Sequence, residues 1–203
     1  MGRRTPDLSR REALGLLASA TASLAWSPAQ AVLASERAAA ALQEAAQRGD
    51  SYVPQFFTAH EYATVEQLVD IIIPADERSG SATEAGVPEF MDFMMADQPE
   101  RQVAMRGGLA WLDRQAHDRY GERLVACGAT QREQLLDAIA WPAGAPHELR
   151  HGVAFFNAFR DLTATGFWTS KMGIEDLEYM GNEYVSRWRG CPPEQLRNLG
   201  LLD

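Results

Sequence analysis

The sequence has little positive charge, and almost none of it comes from lysine. Its 203 residues include 19 lysines and arginines against 28 aspartates and glutamates, so that the formal net charge is −9. Lys171 is the one lysine in the chain. A protein that binds the phosphates of nucleic acid needs a basic surface, which this composition does not supply. Nucleic acid is therefore excluded as the expected partner.

Long apolar runs and the common cofactor motifs are missing as well. No run reaches the roughly 18 residues that a membrane-spanning helix needs. The sequence contains no G-x-G-x-x-G fingerprint, no P-loop, no G-x-S-x-G nucleophile elbow and no C-x-x-C-H haem attachment motif. With 46% apolar residues the chain can still form one sizeable core. We therefore expect a globular protein without a membrane span, a bound cofactor or a catalytic site of its own.

Cysteine is scarce, with Cys127 and Cys191 as the two examples. In an oxidising compartment a disulfide between them is chemically permitted. Their spacing does not decide whether they pair with each other or with a partner chain.

The N-terminal segment is typical of a twin-arginine export signal. The pair Arg10-Arg11 follows Ser9 and precedes an apolar stretch over residues 13–26. Ala29-Gln30-Ala31 then has the small-x-small form of a cleavage site. We predict a signal peptide over residues 1–31, cleaved near Ala31, and a periplasmic location. Loss of its four arginines and two acidic residues would change the net charge from −9 to −11.

The rest of the chain has mostly helical patterns. Residues 32–55 form an alanine-rich leader, predicted as a solvated helix that ends at Gly49. Further helices are predicted from the capping box at Thr58 to Pro74, from Pro88 onward, over residues 100–120, from the capping box at Thr130, and from Pro146 to Gly166. In the helix over residues 100–120, the expected buried positions are Val103, Leu109, Ala110 and Leu112.

Beyond Gly173 the chain is dense in glycine, proline and aromatic residues, and we expect an irregular tail there. The fold class predicted from these patterns is mainly α. It consists of a single compact helical domain over residues 56–203, whose C-terminal tail is irregular and rich in aromatic, glycine and proline residues.

One motif suggests metal chemistry. The sequence His147-Glu148-Leu149-Arg150-His151 fits H-E-x-x-H, in which histidines four residues apart on a helix bind one zinc and the glutamate acts as general base. Glu175 is the candidate third ligand. A secreted zinc metallohydrolase is therefore an alternative function. The motif follows Pro146 directly, however, and Arg150 places a cation between the ligands, so that a solvated first turn is the preferred interpretation.

Two stretches carry a resemblance to a known family. The first contains Phe56-Phe57-Thr58, Asp70-Ile71-Ile72-Ile73-Pro74-Ala75-Asp76 and Phe90-Met91-Asp92. The second contains Thr165-Gly166-Phe167-Trp168-Thr169-Ser170-Lys171-Met172-Gly173-Ile174-Glu175-Asp176-Leu177 and continues through Gly190-Cys191-Pro192. Together with the export signal, they resemble the gluconate 2-dehydrogenase small subunit family, also called subunit 3 or gamma.

The resemblance implies a non-catalytic small subunit in a periplasmic dehydrogenase that oxidises CH–OH groups of sugars, sugar acids or glycosides. The partner it implies is a large subunit of the glucose-methanol-choline (GMC) type, which holds the FAD. A cytochrome c with haem is a possible third subunit. The resemblance implies that the small chain supports export, maturation and stability of the large subunit, and that it holds no cofactor or metal itself.

Aromatic residues, methionine and arginine are enriched in the cores of protein interfaces. We therefore predict that the C-terminal part docks on the large subunit through Phe167, Trp168, Lys171, Met172, Ile174, Asp176, Tyr179, Asn182 and Trp188. The alternative for this segment is that it packs on its own helical body. A free-standing periplasmic binding or chaperone protein is a further alternative function.

Overall fold

The chain is helical in a computed structural model, which describes residues 27–179, 181, 184, 186–187 and 190–201. Two 3₁₀ turns, Leu124–Ala126 and His147–Leu149, lie among the helices. The described residues contain no strand, and this confirms the predicted mainly α fold. The helices are α1 Pro28–Arg48, α2 Ala59–Ile72, α3 Val87–Asp97, α4 Pro99–Tyr120, α5 Ala129–Ala140, α6 Arg150–Thr169, α7 Lys171–Asp176 and α8 Pro193–Asn198.

Helix α3 forms the centre of the protein although it has only 11 residues. Helices α1, α2, α4 and α6 all pack against it. Its residues from Val87 to Met95, with the exception of Phe93, are buried. A helix that is covered on all sides must be apolar around its circumference, and the Phe and Met side chains of α3 provide that surface. Its two buried acids, Glu89 and Asp92, therefore need partners.

The carboxylate of Asp92 has four partners. It is fully buried and accepts hydrogen bonds from the Tyr52 hydroxyl at 2.8 Å and from three consecutive backbone N–H groups. These N–H groups belong to Gln55, Phe56 and Phe57, at 2.7, 2.9 and 3.0 Å. Each donor faces an ionised oxygen, which makes these bonds stronger than neutral ones. Asp92 therefore holds the segment that leads into α2 against the central helix.

Glu89 is the second buried acid of α3, and it is only partly satisfied. Its Oε1 accepts a hydrogen bond from the Tyr62 hydroxyl at 2.5 Å. Its Oε2 is buried and has no hydrogen-bond partner among the described residues. Burial therefore raises the pKa of Glu89 above its usual value, and the charges of Glu66 and Asp92 add to the effect. Burial and the bond to Glu89 raise the pKa of the Tyr62 hydroxyl too.

The alanine-rich leader corrects the sequence expectation of a solvated helix. Helix α1 begins at Pro28, inside the predicted signal segment, and packs on α3 and α6. The side chains that it buries are all small: Ala31, Ala34, Ala38 and Ala45. Small side chains let two helix backbones approach closely, so that a helix without large apolar residues can still be part of the core. The sequence pattern concealed this because alanine looks the same on a solvated helix and on a close-packed one.

The ends of several helices follow the sequence signals. Thr58 caps α2: its hydroxyl accepts from Glu61 N at 3.2 Å, and Glu61 Oε2 accepts from Thr58 N at 2.8 Å. Pro88 lies in the first turn of α3, as predicted. Helix α5 begins at Ala129 instead of after Thr130, because the Gln131 side chain accepts from Gly128 N at 2.9 Å.

Two details of the longer helices differ from the sequence expectation. Helix α6 continues past Gly166 to Thr169. A β-carbon at Gly166 would collide with the Phe90 ring, so that this glycine allows close packing and does not end the helix. In α4 the expected buried positions Leu109 and Leu112 are confirmed, whereas Val103 is 82% exposed and Ala110 is exposed. Met105 and Ala116 complete the buried face instead.

In the described part of the chain, none of the helices has the length and apolarity that crossing a bilayer requires.

We expect Asp92→Ala to destabilise the fold by about 3–5 kcal/mol, because three buried backbone N–H groups and a tyrosine hydroxyl lose their acceptor. Urea unfolding followed by circular dichroism measures the change. Asp97→Ala is the matched control, because Asp97 lies exposed at the end of the same helix. Equal stability of the two variants would contradict the role given to Asp92.

We expect Glu89→Gln to flatten the pH dependence of stability. A raised folded pKa means that the contribution of Glu89 is complete below the unfolded value of about 4.3 and is lost as the pH rises through the folded pKa. The glutamine has no charge to desolvate, so that its advantage over the native protein should grow between about pH 4 and pH 8. Thermal unfolding over this pH range measures the difference in stability between the variant and the native protein. The exposed Glu133→Gln variant is the control and should follow the native curve.

Candidate partner interface

A hollow with acid–base groups lies between α2 and α4. It has a volume of about 330 Å³ and is lined by Thr58, His60, Glu61, Thr64, Asp113 and Arg123, among others. His60 Nε2 lies 2.5 Å from Asp113 Oδ2, and Asp113 Oδ1 accepts from Leu124 N at 3.0 Å. Sequence reasoning did not find this pair, because its members are 53 residues apart and neither belongs to a motif.

Neighbouring polar groups of this hollow form hydrogen bonds and an ion pair with nearby residues. The Thr58 hydroxyl caps α2, and the Thr64 hydroxyl donates to His60 O at 2.9 Å. Glu61 forms an ion pair with Arg106 at 3.2 Å. The His60–Asp113 pair connects α2, α4 and the following 3₁₀ turn.

The H-E-x-x-H segment does not lie on one continuous helix. His147, Glu148 and Leu149 form a 3₁₀ turn, and only then does α6 begin, at Arg150. Arg150 Nη1 lies 2.8 Å from His147 Nε2, a nitrogen through which a histidine can bind zinc. In the described ranges, no three or more His, Cys, Asp and Glu side chains lie close enough together to hold a metal ion, and His147, His151 and Glu175 are no exception.

The two cysteines are separate free thiols in the structure. Cys127 is buried next to the start of α5, and burial raises the pKa of its thiol. Cys191 lies exposed just before α8. The disulfide that the sequence permitted between them is therefore not formed in this structure.

A second hollow lies where the two family-like stretches of the sequence meet. It has a volume of about 300 Å³, between the loop that follows α2 and helix α7. Arg78 Nε lies 3.2 Å from Asp176 Oδ1, and Arg78 Nη2 donates to Asp176 O. The loop itself is shaped by Asp76, whose Oδ1 accepts from the N–H groups of Arg78 and Ser79 at 2.8 and 2.9 Å. These donors lower the pKa of Asp76. Residues 98 positions apart thus form one surface.

The structure divides the predicted docking residues into three groups. Phe167 is 1% exposed and belongs to the protein's own core, which corrects its expected place at the interface. Met172 and Asp176 are half-buried, the latter in the ion pair with Arg78. The exposed ones are Trp168, Lys171, Ile174 and Tyr179. Asn182 and Trp188 lie outside the described residues.

The exposed members of this set, together with Leu177, are called the docking face below. Lys171 and Ile174 lie three residues apart on one side of α7, and Leu177 follows three residues later, directly after the helix. Trp168 is 39%, Ile174 40%, Leu177 55% and Tyr179 59% exposed. Leu177 lies inside the segment from Phe167 to Asn182 that the sequence suggests for docking, although it is not among the residues singled out there. Large apolar side chains exposed in a group are typical of protein interaction sites.

Close packing fixes the orientation of the docking face. The Trp168 ring meets the buried Phe167 ring edge-on, with centroids 4.9 Å apart. Gly173 lies so close to the end of α6 that a β-carbon would collide with the backbone oxygen of Phe167. The Ser170 hydroxyl caps α7 by accepting from Gly173 N at 3.1 Å. These contacts pack α7 closely against the end of α6 although it has only six residues.

Residues 59–187 of the chain match the family model described as gluconate 2-dehydrogenase subunit 3. The match covers more than half of the chain and includes both the loop after α2 and the docking face. No curated protein matches the chain. No solved structure matches it either.

Proposed function

The chain belongs to the gluconate 2-dehydrogenase subunit 3 family and thus has the accessory role of a subunit in a dehydrogenase complex, and from this premise we propose what it does there. It accompanies an FAD-dependent large subunit of the GMC type through the twin-arginine route and stabilises that subunit in the periplasm. The large subunit holds the FAD and oxidises sugars, sugar acids or glycosides. Where a cytochrome c subunit is present, it carries the electrons away through its haem.

The observation that supports this proposal is the docking face. Its apolar side chains are exposed along the end of α6, on α7 and on the residues that follow it, and contacts with the core hold this segment in place, so that they are ordered before a partner binds. Pre-ordered side chains lose less entropy on association, which favours tight binding. The face also includes a tryptophan and a tyrosine, residue types that often dominate interface energies.

Charge on the rim of the docking face indicates the chemistry of the partner surface. Glu175 and Glu178 are exposed beside it, and both line the hollow next to Arg78. Lys171 is exposed as well, and its ammonium group lies 3.8 Å from Glu175. We therefore expect the partner to offer an apolar pocket for Trp168 with arginine or lysine at its edge.

We expect the double variant Trp168→Ala, Tyr179→Ala to weaken binding of the large subunit by about 30-fold or more, because Trp and Tyr are enriched among interface hot spots and the loss of one hot spot costs about 2 kcal/mol or more. Trp141→Ala is the matched control, because Trp141 is also exposed, at 74%, but lies at the end of α5. The measurement is co-purification of the flavoprotein, followed by titration of the separated subunits. Unchanged binding in a folded double variant would refute the docking face.

We expect replacement of both Arg10 and Arg11 by lysine to leave the large subunit and its dehydrogenase activity in the cytoplasm, because the paired arginines are the recognised element of the signal. Activity in the periplasmic and cytoplasmic fractions measures this. The conservative change keeps the charge, and an Arg3→Lys, Arg4→Lys variant controls for effects on expression. A large subunit that still reached the periplasm would contradict the carrier role.

A further inference from the structure

The predicted cleavage site lies inside a folded helix. Ala29, Gln30 and Ala31 occupy the first turn of α1, which begins at Pro28. The first hydrogen bond of the helix joins Ala31 N to Ser27 O at 3.0 Å. The bond to be cut, between Ala31 and Val32, therefore lies within regular helix.

The helix also separates the two small side chains that define the site. In an extended chain, side chains two positions apart point to the same side, and an enzyme can read both together. In a helix they point in nearly opposite directions. The structure shows this separation: Ala29 is exposed, whereas Ala31 is 1% exposed. While this turn is helical, an enzyme cannot contact both small side chains of the site together.

Contacts further along α1 hold its first turn in place. Ala34 and Ala38 are buried in the same row as Ala31. The Ser35 hydroxyl lies 2.6 Å from the Thr169 hydroxyl of α6. Leu42 lies over Gly86 at the start of α3. Unwinding the cleavage site therefore requires that at least the first part of α1 leave the core.

We propose that docking of α1 protects the Ala31–Val32 bond from signal peptidase, so that the folded chain keeps its signal until α1 undocks. The inference rests on the export proposed above, because only an exported chain meets this enzyme. A chain that crosses the membrane folded, as the twin-arginine route allows, arrives with its cleavage site closed. Cleavage of the signal then indicates that α1 has undocked.

The chemistry of the cut supports a coupling between processing and docking. Hydrolysis adds water across the peptide bond and leaves a carboxylate on Ala31 and an ammonium group on Val32. The ammonium group would lie at the N-terminus of the shortened helix, where the helix dipole disfavours positive charge. The shortened helix also loses the buried Ala31. The cut chain therefore holds α1 less firmly than the intact one.

The first test uses the purified full-length protein, made without export and folded, with signal peptidase in detergent micelles. A peptide of residues 22–40 serves as the undocked substrate. Cleavage of a closed site follows the fraction of molecules that are transiently open. We expect the folded protein to be cut at least about tenfold more slowly than the peptide, as measured by intact mass. Equal rates would overturn the proposal.

The second test changes docking without touching the cleavage site. Ala38→Glu places a carboxylate in the core and should accelerate cleavage of the full-length protein to the rate of the peptide. Ala40→Glu adds the same charge on the exposed side of α1 and should leave the rate unchanged. If Ala38→Glu does not fold, Ser35→Ala replaces it, with an expected acceleration of about fivefold. No acceleration in a folded variant would refute the proposal.

The location and the mass of the protein from its host separate this inference from the export proposal. Protein that never leaves the cytoplasm contradicts export. Exported protein that is rapidly cut after Ala31, with α1 still docked, contradicts the protection alone. A mature N-terminus before Pro28 would overturn it too, because the bond that is cut would then lie outside α1. Exported protein of full-length mass is the expected result.

Discussion

The fold depends on one buried carboxylate. Asp92 lies in the middle of a helix that is covered by four others, where an unpaired charge would be very unfavourable. Its four donors all come from the segment before α2. Because all four donors bind the same carboxylate, Asp92 sets the position of this segment, and with it the start of α2, relative to α3. The apolar groups around it stabilise the fold, and this polar contact fixes how the segment before α2 is aligned along α3.

Helix α3 also positions the two parts of the molecule that bear on function. Its Phe90 ring packs against Gly166 of α6, so that α6 runs on to the docking face in a fixed orientation. On another side, α3 and α6 together bury the alanines of α1. The docking face and the predicted processing site are thus supported by the same two helices. The Ser35–Thr169 contact joins them directly, only one residue away from Trp168.

These relations give the accessory subunit a simple physical description. A chain of this size has a core large enough to hold a few aromatic side chains at its surface in a defined orientation, and this is what an interface needs. The acid–base groups that the structure brings together, His60 with Asp113 and Tyr62 with Glu89, connect helices to one another. The proposed export and docking therefore involve opposite ends of the sequence, and the helical body lies between them.

The sequence by itself determined the helical class, the cap at Thr58, the helix start at Pro88 and the membership of the family, because these depend on local hydrogen bonding and on short motifs. It also pointed to the segment around Trp168 as a surface. Only the tertiary structure decided which residues of that segment are exposed, since Phe167 and Trp168 are neighbouring large aromatic residues that differ in what packs on them. Tertiary packing likewise determines the burial of α1 and the contact between His60 and Asp113. Alanine carries no signal of close packing, and contacts across 53 residues leave no trace in a local pattern.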